Sequence, residues 1–102
     1  MAPQISLKHE QLAELCRRHR VRRLAVFGSA RREDFDPERS DLDFLVEFEA
    51  LPAGAYARTY FALLEALNEL FRRPVDLLEA GSVRNPYLRQ EIEATQETVY
   101  AA

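Results

Sequence analysis

Two aspartates separated by a single residue, Asp41 and Asp43, have the spacing in this sequence that most directly indicates chemistry. They open an otherwise apolar stretch, and residues 41–48 together predict a strand, in which alternate residues point to the same face of a sheet. Two carboxylates side by side repel each other until a cation neutralises them. Carboxylate oxygens suit Mg²⁺ or Mn²⁺, which complete their coordination shells with water and substrate phosphates. The pair therefore predicts a site for a metal and a nucleotide.

A second candidate is the dipeptide Gly28-Ser29, which directly follows the apolar run at residues 23–27. Glycine lets the backbone turn sharply and approach a ligand, and the serine hydroxyl with the free N–H groups of a following helical turn can hold phosphate. Each pattern alone has an ordinary explanation, because Gly-Ser also fits a simple strand-ending turn and Asp-x-Asp an exposed acidic strand end. Because the two motifs lie at the ends of two predicted strands, both can lie at one rim of the sheet.

Apolar periodicity predicts the elements that must hold these residues in place. Compact apolar runs predict three strands, at residues 23–27, 41–48 and 75–78. Apolar spacing predicts amphipathic helices at residues 7–19 and 53–71, and residues 86–95 are predicted as a third helix with Pro86 in its first turn. Gly81 and Ser82 predict a turn and cap before the last helix, whereas residues 98–100 fit either a further strand or a continuation of that helix.

The order of these elements predicts an α/β (α+β) fold, in which a small mixed β-sheet has helices packed on one side. The chain has 102 residues, of which 47% are hydrophobic and 30% charged, so its size and balance fit one globular domain over residues 1–102. The candidates for the core of the sheet are Phe27, Phe44, Leu45, Val46, Leu77 and Leu78.

Charge and cysteine content bear on the cellular location of the protein and on the kinds of partner it could bind. A net charge of -3 and a pI near 5.4 argue against a surface with general affinity for nucleic acid. The basic cluster at residues 17–23 is typical of a solvated helix face, with contact to RNA as the alternative. The single cysteine, Cys16, cannot form an intramolecular disulfide, and neither a signal peptide nor a membrane span is visible. We therefore expect a cytoplasmic protein without a membrane partner.

The stretch FGSARREDFDPERSDLDFLVEF, residues 27–48, resembles the signature of the nucleotidyltransferases related to DNA polymerase β, and more narrowly that of the minimal nucleotidyltransferases. Members of that family are small single domains in which one strand ends in Gly-Ser and an Asp-x-Asp strand carries the metals. The resemblance extends over residues 24–100. Its spacer, residues 30–40, is one residue longer than is usual in the family, so neither Arg31 nor Arg32 is assigned to the family's basic position.

The resemblance implies the chemistry of the site. It implies metal-dependent attack of a hydroxyl on the α-phosphate of ATP, with Asp41, Asp43 and Asp76 as the catalytic and metal-binding residues for Mg²⁺ or Mn²⁺. Asp76 matches the family's third carboxylate because PVDLLE places it on the next strand, although it could instead cap a turn or pair with a neighbouring arginine. Gly28 and Ser29 would hold the nucleotide phosphates.

The resemblance also implies a partner. Minimal nucleotidyltransferases of this type are typically encoded as antitoxins beside a helical HEPN-family ribonuclease toxin, which implies transfer of AMP to a tyrosine of that toxin within a complex of the two proteins. One alternative is a non-catalytic antitoxin that masks the toxin by contact. For it, Tyr56, Tyr60, Phe61 and Phe71 could supply a surface, although their helical spacing favours a place in the core. A less favoured alternative is transfer to a small hydroxylated molecule, for which a chain of this length has little room.

Overall fold

The computed structural model of the chain describes residues 3–28 and 42–102. The elements within these residues, in chain order, are α1 (Pro3–Leu7), α2 (His9–Arg18), β1 (Val21–Phe27), β2 (Leu42–Phe48), α3 (Tyr56–Phe71), β3 (Val75–Glu79), α4 (Pro86–Thr95) and β4 (Glu97–Ala101). Two of the predicted site residues, Ser29 and Asp41, lie outside the described residues. No helix in the described ranges combines the length and the apolar content needed to span a membrane.

The strands within these ranges form one mixed sheet in the order β3-β2-β1-β4. β1 is antiparallel to both of its neighbours, β2 and β4, whereas β2 and β3 are parallel. A parallel pair needs a crossover connection, which α3 supplies. The predicted α+β class with a small mixed sheet is confirmed. The tail at residues 98–100, which the sequence left open, belongs to β4 and pairs with β1.

The larger core lies between the sheet and the helices α2 and α3. Alternate residues of the two central strands point into it and are fully buried: Leu24, Val26, Phe44 and Val46. The helices contribute buried residues at intervals of three and four, namely Leu12 and Cys16 from α2 and Leu63, Leu67 and Phe71 from α3. This buried face fixes the strand register, because a shift of one residue would turn every one of these side chains to the opposite face.

A smaller core lies on the opposite face of the sheet. Its buried residues are Ala25, Phe27 and Leu45 from the sheet and Ile92 from α4. The prediction of helices on one side is therefore wrong in this respect: α2 and α3 cover one face, and α4 covers part of the other. The reason is visible in residues 24–27 and 44–46, where unbroken apolar runs are typical of strands buried on both faces. Of the predicted core residues, all are buried except Leu78, which is partly buried.

The start of α4 is set by a side-chain cap. The Asn85 side chain accepts hydrogen bonds from the backbone N–H groups of Tyr87 and Leu88, which would otherwise lack partners at the first turn. The turn predicted at Gly81 and Ser82 is present as part of a single 3₁₀ turn, but the cap that we placed there lies at Asn85 instead.

Candidate functional site

Two of the predicted carboxylates lie side by side on neighbouring strands. In the parallel pairing of β2 with β3, Asp43 is directly opposite Asp76. Opposite residues of paired strands point to the same face, so both side chains extend from the face that carries α4 and not into the larger core. Both are the second residue of their strand, which places the two carboxylates at one rim of the sheet.

The sequence on either side of each aspartate explains this orientation. Asp43 lies between Leu42 and Phe44, which are both fully buried in the larger core. Asp76 lies in the same way between Val75 and Leu77, which are 7% and 4% exposed. Because side chains alternate along a strand, burying the two neighbours turns each carboxylate to the other face. Asp43 is partly buried there, whereas Asp76 is exposed.

Gly28 brings the end of β1 against the same rim. It directly follows Phe27, which pairs with Asp43 across the antiparallel strands, and its backbone adopts the left-handed conformation with φ of +69°. A Cβ at this position would lie 3.1 Å from Asp43 Oδ2 and 3.8 Å from Glu91 Oε1. A residue without a side chain is therefore required for two reasons, namely the backbone conformation and the closeness of the Asp43 carboxylate.

α4 contributes two residues that sequence reasoning missed. The Gly28 N–H donates to Thr95 Oγ1 at 2.9 Å, and the Thr95 hydroxyl donates in turn to the Glu91 carbonyl oxygen at 2.8 Å. The Glu91 carboxylate and that of Asp43 both come within 4 Å of the position of a Gly28 Cβ. The spacing of four residues between Glu91 and Thr95 shows from sequence that they share one side of a helix. Nothing local indicates that this side faces a glycine 67 residues away from Thr95.

Tyr60 of α3 borders the exposed carboxylate. Its hydroxyl donates to the carbonyl oxygen of Leu77, the residue after Asp76. Partial burial raises the pKa of Tyr60, and the negative charge of Asp76 raises it further, so the phenol stays protonated at neutral pH. Asp76 thus has a neutral, hydrogen-bonded aromatic neighbour.

A cavity of about 340 Å³ opens beside Tyr60, between α3 and β3. Its aromatic lining is Tyr56, Tyr60 and Phe61. Tyr56 is 45% exposed and Phe61 is 62% exposed, whereas Phe71 is buried in the larger core. The aromatic residues singled out from the sequence are therefore divided between surface and core.

The donor set at the rim suits a hard divalent cation. Asp43 and Asp76 present carboxylate oxygens on one face, which are the ligands that Mg²⁺ and Mn²⁺ prefer. Residues 3–28 and 42–102 by themselves contain no cluster of three or more His, Cys, Asp or Glu side chains able to hold a metal. The third predicted ligand, Asp41, lies outside these ranges. Of the predicted site residues, the structure thus brings Gly28, Asp43 and Asp76 together.

Comparison with known proteins finds a matching family and sequence relatives. Residues 8–100 match the nucleotidyltransferase domain family. The chain is 37% identical over 86 residues to the putative protein adenylyltransferase MJ0128 of Methanocaldococcus jannaschii, a match that covers 84% of this chain and 82% of that protein.

Solved structures show the same architecture. One, of a putative minimal nucleotidyltransferase, has a TM-score of 0.74 and 32% identity, covering 95% of each chain. Another is a complex of a tri-AMPylated Shewanella oneidensis HEPN toxin with an MNT antitoxin, where the TM-score is 0.64 and the identity 18%, over 95% of this chain and 72% of that one. At that identity the likeness is one of fold.

Proposed function

We propose, from the premise that this chain belongs to the nucleotidyltransferase domain family, that it transfers AMP from ATP to a tyrosine hydroxyl of a HEPN-family toxin and acts as its antitoxin. The observation that carries the proposal is the placement of Asp43 opposite Asp76, with the Gly28 turn against the Asp43 carboxylate. The resemblance to minimal nucleotidyltransferases drawn from the sequence is confirmed by the family match and by the fold.

The proposed reaction is a substitution at the α-phosphorus of ATP. The acceptor oxygen forms a bond to the α-phosphorus, the bond from that phosphorus to the oxygen bridging to the β-phosphate breaks, and pyrophosphate leaves. A tyrosine hydroxyl has a pKa near ~10, so a base that accepts its proton speeds the attack at neutral pH. Mg²⁺ or Mn²⁺ held by Asp41, Asp43 and Asp76 would neutralise the triphosphate and the charge that develops on the leaving group.

Asp43 and Asp76 differ in exposure, and this difference suits them to different roles. Asp43 is partly buried, lies between two fully buried neighbours and touches the Gly28 turn, so its position is fixed and suits a metal ligand. Asp76 is exposed at the same rim, so an acceptor hydroxyl can reach it. Asp76 would therefore hold the metal together with Asp43 and would take the proton of the acceptor hydroxyl.

The acceptor class comes from the relatives. The relative in Methanocaldococcus jannaschii carries the name of a protein adenylyltransferase, and the Shewanella complex joins an antitoxin of this fold to a HEPN toxin that carries AMP groups. These support a protein acceptor, a HEPN-family partner and ATP as the donor. They also favour a hetero-oligomer of the two proteins as the working state.

A second candidate function is masking of the toxin by contact alone. The observation in its favour is the exposed aromatic surface formed by Tyr56 and Phe61, since large exposed apolar side chains often mark protein interfaces. In this version the carboxylates at the rim would be dispensable for neutralisation.

One experiment separates the two versions. A HEPN-family toxin, the partner that the proposal implies, is co-expressed with wild type, with a double Asp43→Asn and Asp76→Asn variant, or with Glu65→Gln as a matched control on the exposed face of α3. We expect wild type and Glu65→Gln to add AMP mass to the partner and to permit cell growth, whereas the double variant does neither. Full neutralisation by the double variant would contradict the enzymatic version and support masking.

A further inference from the structure

A chain of two hydrogen bonds ties the Gly28 turn to the last turn of α4. The Gly28 N–H donates to Thr95 Oγ1 at 2.9 Å, and the hydroxyl proton of Thr95 goes to the Glu91 carbonyl at 2.8 Å. A backbone N–H can only donate, so the Thr95 oxygen accepts from Gly28, and the single hydroxyl proton of Thr95 remains for the Glu91 carbonyl. Hydrogen bonds linked in this way strengthen one another.

These two hydrogen bonds orient the peptide that joins the end of β1 to Gly28. Gly28 is buried and left-handed, and it approaches Asp43 so closely that a Cβ would lie 3.1 Å from Oδ2. A rotation of the Phe27-Gly28 peptide would break the bond to Thr95 and change the distance between the turn and the Asp43 carboxylate. The Thr95 hydroxyl thus fixes the position of the Gly28 turn relative to the Asp43 carboxylate.

We propose that Thr95 is a positioning residue for nucleotide binding, which acts through the Gly28 amide and does not touch the nucleotide. The Gly28 N–H already donates its hydrogen bond to Thr95. Gly28 therefore contributes to nucleotide binding through its lack of a side chain and not as a donor to phosphate. This inference rests on the proposed function, since it assumes that ATP binds at this rim.

The test compares variants that differ in one hydroxyl. Thr95→Val replaces the hydroxyl by a methyl group of similar size, Thr95→Ser restores a hydroxyl, and Thr98→Val is a matched control. The Thr98 hydroxyl lies three positions further along and accepts from Arg23, with no bond to Gly28. Affinity is measured by calorimetry on the full chain with Mg²⁺ and α,β-methylene-ATP, an analogue whose α-phosphate cannot be transferred. Thermal unfolding is recorded for every variant.

We expect Thr95→Val to bind the analogue about three- to tenfold more weakly, as the loss of one well-made hydrogen bond implies. Thr95→Ser should recover most of the affinity, and Thr98→Val should bind as wild type does. A purely structural role would lower the melting temperature of Thr95→Val and leave its affinity unchanged. That result would overturn the inference.

A second measurement covers the case in which Thr95→Val does not fold. Hydrogen exchange of the wild-type Gly28 amide should be slow and nearly the same with and without the analogue, because Thr95 holds this amide throughout. A Gly28 amide that exchanges freely until nucleotide is added would refute the inference.

Failure of the proposed function can be told apart from these outcomes. Wild type that binds the analogue and yet transfers no AMP to a partner contradicts the proposed function and leaves the role of Thr95 standing. Wild type that does not bind the analogue contradicts both.

Discussion

Replacing Gly28 by alanine should damage the site in a way that a second glycine allows us to dissect. An alanine there must adopt φ near +69°, a left-handed conformation that destabilises an L-residue by about 1–2 kcal/mol. Its Cβ would also lie 3.1 Å from Asp43 Oδ2, which is tighter than ordinary contact and displaces the carboxylate. Gly54 has a φ of +79° but nothing within 4 Å of its Cβ position. Gly54→Ala therefore carries the backbone strain without the crowding.

Both variants should lose about 1–2 kcal/mol in the free energy of unfolding, which urea denaturation followed by circular dichroism measures directly. Only Gly28→Ala should also weaken binding of Mg²⁺ with α,β-methylene-ATP, by about tenfold if moving Asp43 removes about 1.4 kcal/mol of metal and phosphate interaction. Equal nucleotide affinity in the two variants, at equal loss of stability, would refute the reasoning that Gly28 and Asp43 form one site.

Three further predictions concern charge and reactivity. Burial raises the pKa of the Cys16 thiol to about 12, so we expect it to resist alkylation at pH 8 in the folded chain and to react once urea unfolds it. Hydrogen bonds from Arg23 and Arg22 lower the pKa of Glu47 below its usual 4.5. The stability that Glu47 contributes is thus present above pH 4.5 and lost as the pH falls below it, and Glu47→Gln should flatten this part of a plot of unfolding free energy against pH. Glu91→Gln removes a negative charge beside Gly28 and should weaken Mn²⁺ binding about threefold by calorimetry, whereas Glu93→Gln should not.

Most of the fold could be predicted from the sequence because its signals are local. The apolar stripe of α3 and the compact runs of β1, β2 and β3 gave the elements to within a few residues at each end. The Asp-x-Asp pattern singled out Asp43, and the resemblance to a known family singled out Asp76; in the structure, buried neighbours on both sides turn each carboxylate to one face. That they would lie opposite each other required the parallel pairing of β2 with β3, which periodicity did not indicate; the resemblance to a known family placed the third carboxylate only on the next strand.

The features that the sequence did not reveal depend on contacts between distant segments. The position of α4 on the second face follows from the packing of Ile92 against Ala25, Phe27 and Leu45, which no spacing within α4 indicates. The bond from Gly28 to Thr95 has the same origin, so this role of Thr95 was missed. The cap at Asn85 was the exception, because Asn followed by Pro is a local signal for a helix start that could have been recognised.

Transfer of AMP is tested directly by intact mass spectrometry of a purified HEPN-family partner after incubation with this chain, Mg²⁺ and one of three nucleotides. ATP and β,γ-imido-ATP keep a cleavable bond after the α-phosphate, whereas α,β-methylene-ATP does not. We expect added AMP with the first two nucleotides, none with the third, and none with ATP when Asp43→Asn and Asp76→Asn are combined. An unmodified partner under all conditions, or a gain of phosphate in place of AMP, would contradict the proposed transfer of AMP.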